Sequence, residues 1–136
     1  EYCCTDDIIE ICNLLDINIC KLDDHSSLLK GGEAVYLRSY LDQEIIFIKK
    51  GLPLKYERFL IAHELGHAIL HPEISTAAFN NKLLNKGKLE RQSNYFAIKL
   101  LKFNLSHSDY EGYTIEQIAK ELYISESCVE YCFIRN

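Results

Sequence analysis

The sequence has no tryptophan and no methionine, and only two prolines and six glycines among its 136 residues. So few prolines and glycines leave little room for interdomain linkers, and they exclude collagen-like and low-complexity chains. Hydrophobic residues make up 48% and charged residues 26%, which is the balance of a globular protein rather than a disordered one. We therefore expect a single domain over residues 1–136, long enough to bury its own core.

Long hydrophobic runs and an excess of positive charge are also missing. No apolar stretch reaches the roughly 18 residues that a membrane span needs, and no signal segment opens the sequence. The 15 basic residues stand against 20 acidic ones, which gives a net charge of −5. Because phosphate binding rests on clustered lysine and arginine, we expect no direct nucleic-acid binding and no membrane partner. These features are typical of a cytoplasmic protein.

Cysteine is more frequent than in an average chain, but its spacing does not indicate a disulfide framework. The six cysteines include no C-x-x-C pair: Cys3, Cys4, Cys12, Cys20, Cys128 and Cys132. Disulfide-dependent chains are normally short secreted domains with poor cores. We expect reduced cysteines that pack as small hydrophobic side chains, and a bridge from the first group to the last stays an open alternative.

The hydrophobic pattern predicts a helix, then three strands, then helices to the end. Helical spacing of apolar residues is found in five segments: 6–16, 55–71, 88–103, 114–123 and 125–134. Strand patterns are found in three segments: 17–22, 33–41 and 44–49. Pro72 ends the long second helix, while Thr114 and Ser125 are expected N-caps of the last two.

An H-E-x-x-H motif lies inside the long apolar helix, formed by His63, Glu64 and His67. Residues four apart share one face of a helix, so the two imidazoles can hold one zinc ion. Zinc lowers the pKa of a water molecule to about 7, and the neighbouring Glu64 can take its proton as it attacks a carbonyl. Buried histidines and glutamate are costly without a role, so the motif predicts a zinc hydrolase.

A catalytic zinc usually takes three protein ligands. His71 continues the helical face but lies about 6 Å further along the axis, so we expect it to be a polar helix end. The metzincin pattern needs a histidine where Glu73 stands, which excludes that branch. Glu90 is the better candidate, because a second helix packed antiparallel would present its carboxylate to the metal. Asn94 would share that face and hydrogen-bond the outer nitrogen of a ligand histidine.

Two segments resemble the ImmA/IrrE family of zinc metallopeptidases: RFLIAHELGHAILH at 58–71 and LERQSNYFAIKLL at 89–101. The family pairs an H-E-x-x-H helix with a second helix that reads roughly E-x-x-A-N-x-F-A, and Ser93 replaces the usual alanine. The resemblance covers roughly residues 33–134. It implies three zinc ligands for one ion per chain, with a general base beside them: His63, His67 and Glu90 as ligands, and Glu64 as base.

The resemblance implies an α+β, zincin-like fold, in which a small antiparallel three-stranded sheet packs on the H-E-x-x-H helix with additional helices. It also implies an endopeptidase that cleaves a helix-turn-helix repressor and is encoded on a mobile element or prophage. A substrate peptide is expected to add to an exposed strand edge, Glu44 to Lys49. The alternative is a zinc-bearing module that binds a repressor or partner protein without cutting it. The intact Glu64 argues against it, because a closed structural site has no use for a base.

Two further features remain open in the sequence. Stabilisation of the tetrahedral intermediate needs a hydrogen-bond donor, for which Tyr95, His107 and Tyr110 are unranked candidates. The segment 114–133 has the spacing of a helix-turn-helix. Residues 104–136, however, contain six acidic and two basic residues, and this net charge of −4 would repel DNA. We expect the helix pair over 114–134 to be part of the domain rather than a DNA reader.

Overall fold

The computed structural model describes residues 7–71, 86–101 and 110–135. The helices and strands in these ranges follow in the order α1 (Ile8–Leu14), β1 (Ile17–Leu22), β2 (Ala34–Tyr40), β3 (Gln43–Lys49), α2 (Leu54–Leu70), α3 (Lys86–Leu100), α4 (Ile115–Leu122) and α5 (Glu126–Arg135). The predicted order and type of every element are confirmed, with ends that differ by a few residues at most. No helix of the described ranges is both long and apolar enough to cross a bilayer.

The three strands form one mixed sheet in the order β1-β3-β2. Strands β2 and β3 are antiparallel and joined by a two-residue turn at Leu41 and Asp42, both with positive φ, as a type I′ hairpin requires. Strand β1 runs parallel to β3, with Ile17 opposite Glu44. The α+β class is confirmed, whereas the expected antiparallel pairing holds for β2 with β3 and is wrong for β1 with β3.

Strand β3 occupies the central position of the sheet, and both of its faces are buried. Ile46 and Ile48 pack into the helical core, and Ile45 and Phe47 pack on the opposite face against the single helical turn Ser27–Leu29. A strand buried on both faces reads as a continuous apolar run. Strand β3 also pairs with β1 along one edge and with β2 along the other. The expected free edge at Glu44 to Lys49 is therefore wrong. Among the described residues, β1 and β2 are the outer strands of this sheet.

The helices share one hydrophobic core against one face of the sheet. Its largest fully buried aliphatic side chains come from all five helices and from β3: Ile8, Ile46, Ile48, Ile61, Leu65, Ile98, Ile118 and Val129. Polar contacts fix the start of α2 to the sheet. Nζ of Lys21, in β1, lies 3.1 Å from Oε2 of Glu57, and the Tyr56 hydroxyl donates a hydrogen bond to Glu33, the residue before β2. Helix α2 is thus held at its N-terminal end by the strands and along its length by apolar packing.

The predicted caps of the last two helices are confirmed. Thr114 and Gln117 form a capping box, in which each side chain accepts the backbone N–H of the other residue. The Ser125 hydroxyl accepts the backbone N–H of Cys128 at 3.2 Å. These caps satisfy donors that a helix start leaves unpaired, and they fix where each of the two short helices begins.

The four described cysteines are free, namely Cys12, Cys20, Cys128 and Cys132. Three of them are fully buried in the helical core, and burial raises the pKa of the Cys12 thiol to about 11. They therefore act as small hydrophobic side chains, as expected for this part of the chain. The expectation for Cys3 and Cys4 lies outside the described residues.

Candidate metal centre and active site

Helices α2 and α3 approach each other closely at one glycine. A Cβ atom on Gly66 would lie 3.2 Å from the Cα of Ser93 and 3.1 Å from a ring carbon of Phe96. Ser93 is fully buried at this contact, and its hydroxyl has no hydrogen-bond partner among the described atoms. The two helices can come this close because both contact positions carry small residues.

His63, His67 and Glu90 lie together at this helix contact. One potential ligand atom of each lies within 4.8 Å of the other two, and no other such group of three is found in the described ranges. Nε2 of His63 lies 2.8 Å from Oε1 of Glu90, and Nε2 of His67 lies 3.4 Å from Oε2. The structure thus brings together the three residues that the resemblance implies as ligands.

The chemistry of these three side chains fits a divalent metal ion. Two imidazoles and one carboxylate are a donor set found in catalytic zinc sites, which keep a fourth position for water or substrate. Donor atoms about 2.0–2.1 Å from a tetrahedral ion are separated by roughly 3.4 Å. The separation from Glu90 to His67 is 3.4 Å, which matches that spacing, and the separation from Glu90 to His63 is 2.8 Å, the length of a hydrogen bond.

The electrostatics of the site favour a cation beside Glu90. Burial disfavours the ionised carboxylate, but hydrogen bonds and charge from His63 and His67 outweigh it and hold the pKa of Glu90 well below its usual range. Burial also opposes protonation of His63. The pKa of that imidazole is nevertheless raised. The causes are its hydrogen bond with Glu90, the negative charges of Glu64 and Glu90, and a weaker interaction with the Asn94 side chain. The carboxylate is therefore poised to stay ionised next to a positive partner.

Glu64 lies between the histidines and the sheet, and it is 9% exposed. Burial raises the pKa of its carboxyl group, while the charges of His63 and His67 and a hydrogen bond from the Tyr36 backbone oppose that rise. Tyr36 is in β2, so the same hydrogen bond fixes the carboxylate beside that strand. The Glu64 carboxylate, the potential metal cluster and an outer strand of the described sheet therefore lie close together.

Strand β2 is tied to the helix that carries the motif. Arg38 donates a hydrogen bond from Nη2 to the carbonyl oxygen of Ala68 at 3.2 Å, and its other terminal nitrogen lies 3.9 Å from Glu44. The Tyr36 hydroxyl also donates to Glu44, at 2.6 Å. The Arg38 contact with Ala68 holds β2 against α2 beside His67, and the two contacts with Glu44 hold β2 to β3.

His71 caps the C-terminal end of α2, as the sequence predicted, but the sequence analysis missed its side-chain contacts. Nδ1 of His71 lies 3.0 Å from Nδ1 of His67, and Nε2 of His71 lies 2.9 Å from Oε1 of Gln92. His71 is not in the ligand cluster, as its distance along the helix predicted, but it contacts a member of that cluster. The four-residue spacing from His67 is the signal that could have found this contact. No comparable signal marks Gln92.

The other predicted site residues are less directly connected. Asn94 raises the pKa of His63, yet Nδ1 of His63 has no aligned hydrogen-bond partner among the described residues. Tyr95 packs edge-on against Tyr131 of α5, with the two ring centroids 6.1 Å apart. The ring of Tyr110 packs in the same way against Tyr113. The third candidate donor, His107, lies outside the described residues.

We expect Gly66→Ala to weaken metal binding by about tenfold, or ~1.4 kcal/mol. The added methyl group would lie 3.1–3.2 Å from Phe96 and Ser93, so α3 has to shift by a few tenths of an ångström. This shift moves Glu90 relative to the two histidines, in a site whose geometry has to be held to about 0.5 Å. The measurement is a zinc titration against a chromophoric chelator. Gly32→Ala is the control, because its Cβ would meet nothing closer than 3.5 Å. Equal affinities of the two variants would contradict this account of the helix contact.

Comparison with known proteins agrees with the geometry. The model of the IrrE N-terminal-like domain, a peptidase family, matches residues 12–131. The chain is 32% identical to the metallopeptidase ImmA of Bacillus subtilis (strain 168) over 134 residues, which covers 93% of this chain and 75% of that protein. It is 27% identical to the uncharacterized immunity region protein 2 of Bacillus phage phi105 over 113 residues, which covers 81% and 68%. No solved structure gives a significant match. With this match and a His-His-Glu cluster at the packed helices, the chain belongs to the ImmA/IrrE family of metallopeptidases.

Proposed function

We propose that the protein is a zinc-dependent endopeptidase that acts in the cytoplasm and cleaves a helix-turn-helix transcriptional repressor. The catalytic part rests on one observation, that four side chains lie together at the contact of α2 and α3. Three of them, His63, His67 and Glu90, offer atoms that could bind a metal ion, and the fourth is the buried carboxylate of Glu64. Membership of a metallopeptidase family supports the same reaction.

The four side chains divide into two roles in this proposal. His63, His67 and Glu90 hold one zinc ion per chain, which supplies Lewis-acid activation of water and of the scissile carbonyl. Glu64 takes the proton of the attacking water and passes it to the leaving amine. Its hydrogen bond with the Tyr36 backbone keeps the carboxylate in one orientation during both transfers.

The substrate peptide is proposed to lie along strand β2. That strand is an edge of the sheet, and its Tyr36 backbone already contacts the base. An extended peptide can add to such an edge by main-chain hydrogen bonds, which would carry a scissile carbonyl past Glu64. The edge at β2 replaces the expected edge at β3, which is paired on both sides. A peptide bound in this way must be extended, so the cut is expected in a linker or exposed loop of the repressor.

The repressor as substrate is supported by the relatives rather than by the geometry. One relative is a phage protein named for an immunity region, and the sequence resemblance implies a repressor whose loss activates a mobile element. The edge of β2 gives little sequence selectivity by itself, because all peptides can form the same backbone hydrogen bonds with it.

The direct test is incubation of the zinc-loaded protein with repressors encoded beside its gene. We expect one major cut in a linker, identified by sequencing the new amino terminus, and no cut after chelation or with Glu64→Gln. Readdition of zinc is expected to restore cleavage. Tight binding of the repressor without any new terminus would support a non-cleaving regulatory module instead.

We also propose that the C-terminal helix pair closes the domain and does not read DNA. Ile118 and Val129 are fully buried in the core that α2 shares. The described segment Ile115–Arg135 carries Glu116, Glu121, Glu126 and Glu130 against Lys120 and Arg135. Because this segment has more acidic than basic residues, it would repel the phosphate backbone of DNA. We therefore expect no tight, salt-sensitive duplex binding.

We expect Ile118→Ala to lower the free energy of unfolding by about 2–5 kcal/mol, because it leaves a cavity in a packed core. Chemical denaturation of the whole chain, followed by circular dichroism, measures this change. Glu121→Ala, on the exposed side of the same helix, is the control and should change stability by less than about 0.5 kcal/mol. A similarly small effect of Ile118→Ala would show that the pair folds apart from the domain.

A further inference from the structure

We propose that His71 and Gln92 are positioning residues that select the metal-binding tautomer of His67. The inference rests on the proposed metal site. It concerns two side chains that lie outside the cluster of ligand atoms, one at the end of α2 and the other on α3. Both act on the metal through the outer nitrogen of His67.

The three side chains form one continuous line of contacts. Nδ1 of His67 lies 3.0 Å from Nδ1 of His71, and Nε2 of His71 lies 2.9 Å from Oε1 of Gln92. On the other side of the His67 ring, Nε2 lies 3.4 Å from Oε2 of Glu90. His71 is 8% exposed, so water has little access to compete for its ring nitrogens.

The direction of each hydrogen bond follows from the chemistry of the Gln92 side-chain amide, which ends the line of contacts. The amide oxygen Oε1 of Gln92 can only accept, so His71 donates from Nε2. A neutral imidazole has a single N–H, which leaves Nδ1 of His71 as an acceptor. Nδ1 of His67 must then donate across the 3.0 Å contact. With a metal ion bound, the lone pair of His67 would therefore be on Nε2, and the metal would take the place of the hydrogen bond between Nε2 and Glu90.

The packing of the two helices explains why this line can form. Side chains on a helix lean toward its N-terminus, so His71, the residue that caps α2, lies over the turn that carries His67. Gln92 and Glu90 are two residues apart on α3, so one helix supplies both a proposed ligand and the group that orients another ligand. The close contact at Gly66 sets the distance between the helices and hence both contacts.

This role differs from those of a ligand and of a helix cap. The backbone N–H of His71 caps α2 by donating to the carbonyl of His67 at 3.0 Å, and any residue except proline could do that. The side-chain contact to Gln92 crosses to another helix and is not needed for the cap. A substitution at Gln92 therefore separates the two roles, because it leaves the backbone of α2 unchanged.

The first test measures zinc affinity by competition with a chromophoric chelator. Gln92→Met removes the acceptor and is expected to weaken zinc binding by about 10–100-fold, the usual effect of losing a group that orients a ligand. Gln92→Glu keeps an acceptor and is expected to bind zinc as tightly as the wild type or more tightly. Gln43→Met is the matched control, since it removes an amide that accepts a hydrogen bond from Asn18 far from the helix contact. Equal affinities of Gln92→Met and the wild type would overturn the inference.

A double-variant cycle tests whether Gln92 acts through His71. His71→Ala is expected to weaken zinc binding to a similar degree, and addition of Gln92→Met to it should cause no further loss. Independent, additive losses would overturn the proposed line of contacts. A wild-type protein that binds no zinc would instead contradict the metal site itself, so the two failures are distinguishable.

The second test reads the tautomers directly. Long-range ¹H–¹⁵N correlation spectra of the zinc-loaded protein are expected to show His71 with its proton on Nε2 and His67 with its proton on Nδ1. Gln92→Met is expected to lose the uniform Nε2–H signature of His71, whereas Gln92→Glu is expected to keep it. A proton on Nδ1 of His71 in the wild type would overturn the inference.

Discussion

Glu64→Gln is expected to give a folded protein that binds zinc and cleaves its substrate about 10²–10⁴-fold more slowly. Glutamine has nearly the same shape and can still accept the hydrogen bond from the Tyr36 backbone, so the site keeps its packing. It cannot take a proton from water. The loss therefore reports the general-base step alone.

The measurement is kcat/KM on a peptide that contains the cut site, with zinc content determined on the same samples. Equal zinc content and an unchanged melting temperature are the controls, because they separate loss of the base from loss of the metal or the fold. Cleavage by zinc-loaded Glu64→Gln within tenfold of the wild-type rate would assign the reaction to another base.

Glu90→Ala is expected to weaken zinc binding more than about 100-fold, beyond the range typical of groups that only orient a ligand. It removes one of three proposed ligands, and it also removes the carboxylate that lies against both histidines. Two neutral imidazoles on one helix then hold the ion with no negative charge among the ligands.

Zinc content after dialysis and a chelator competition measure this loss. Glu121→Ala, which removes an exposed carboxylate from α4, is the matched control and should keep wild-type affinity. His71→Ala should lie between the two, weakened but still able to bind. A Glu90→Ala protein that retains zinc while His71→Ala loses it would exchange the roles of the two residues.

The helices and strands could be predicted because their signals are local. The spacing of Ile8, Ile11 and Cys12 indicates a helix from a few residues of sequence, and the structure buries those three side chains. The caps at Thr114 and Ser125 depend on neighbours within three residues. In each case the interaction that stabilises the element lies inside the segment that predicts it.

The pairing of the strands depends on contacts far apart in sequence, and there the prediction was only partly right. The run Ile45-Ile46-Phe47-Ile48 was recognised as a strand, but its continuous apolar character also indicates burial on both faces. The structure has β3 in the centre, β2 as the outer strand beside Glu64, and β1 parallel to β3, and the apolar run alone does not specify the direction of β1.

For the site, the motif predicted the two histidines, because helical spacing puts residues four apart on one face, and it predicted the base as the neighbour of His63. The prediction of Glu90 depended on an assumption about how a second helix packs, and the resemblance to the family then supported it. The line from His67 through His71 to Gln92 was missed, because it exists only at the helix separation that Gly66 permits. Contacts of this kind depend on the distance between two elements, which no single segment specifies.

The most direct test of the central claim is a crystal structure measured at wavelengths on either side of the zinc absorption edge. We expect one anomalous peak per chain that disappears below the edge, about 2.0–2.2 Å from Nε2 of His63, Nε2 of His67 and a carboxylate oxygen of Glu90. A zinc peak with His71 in place of Glu90 as a ligand, or no peak in protein saturated with zinc, would contradict the account.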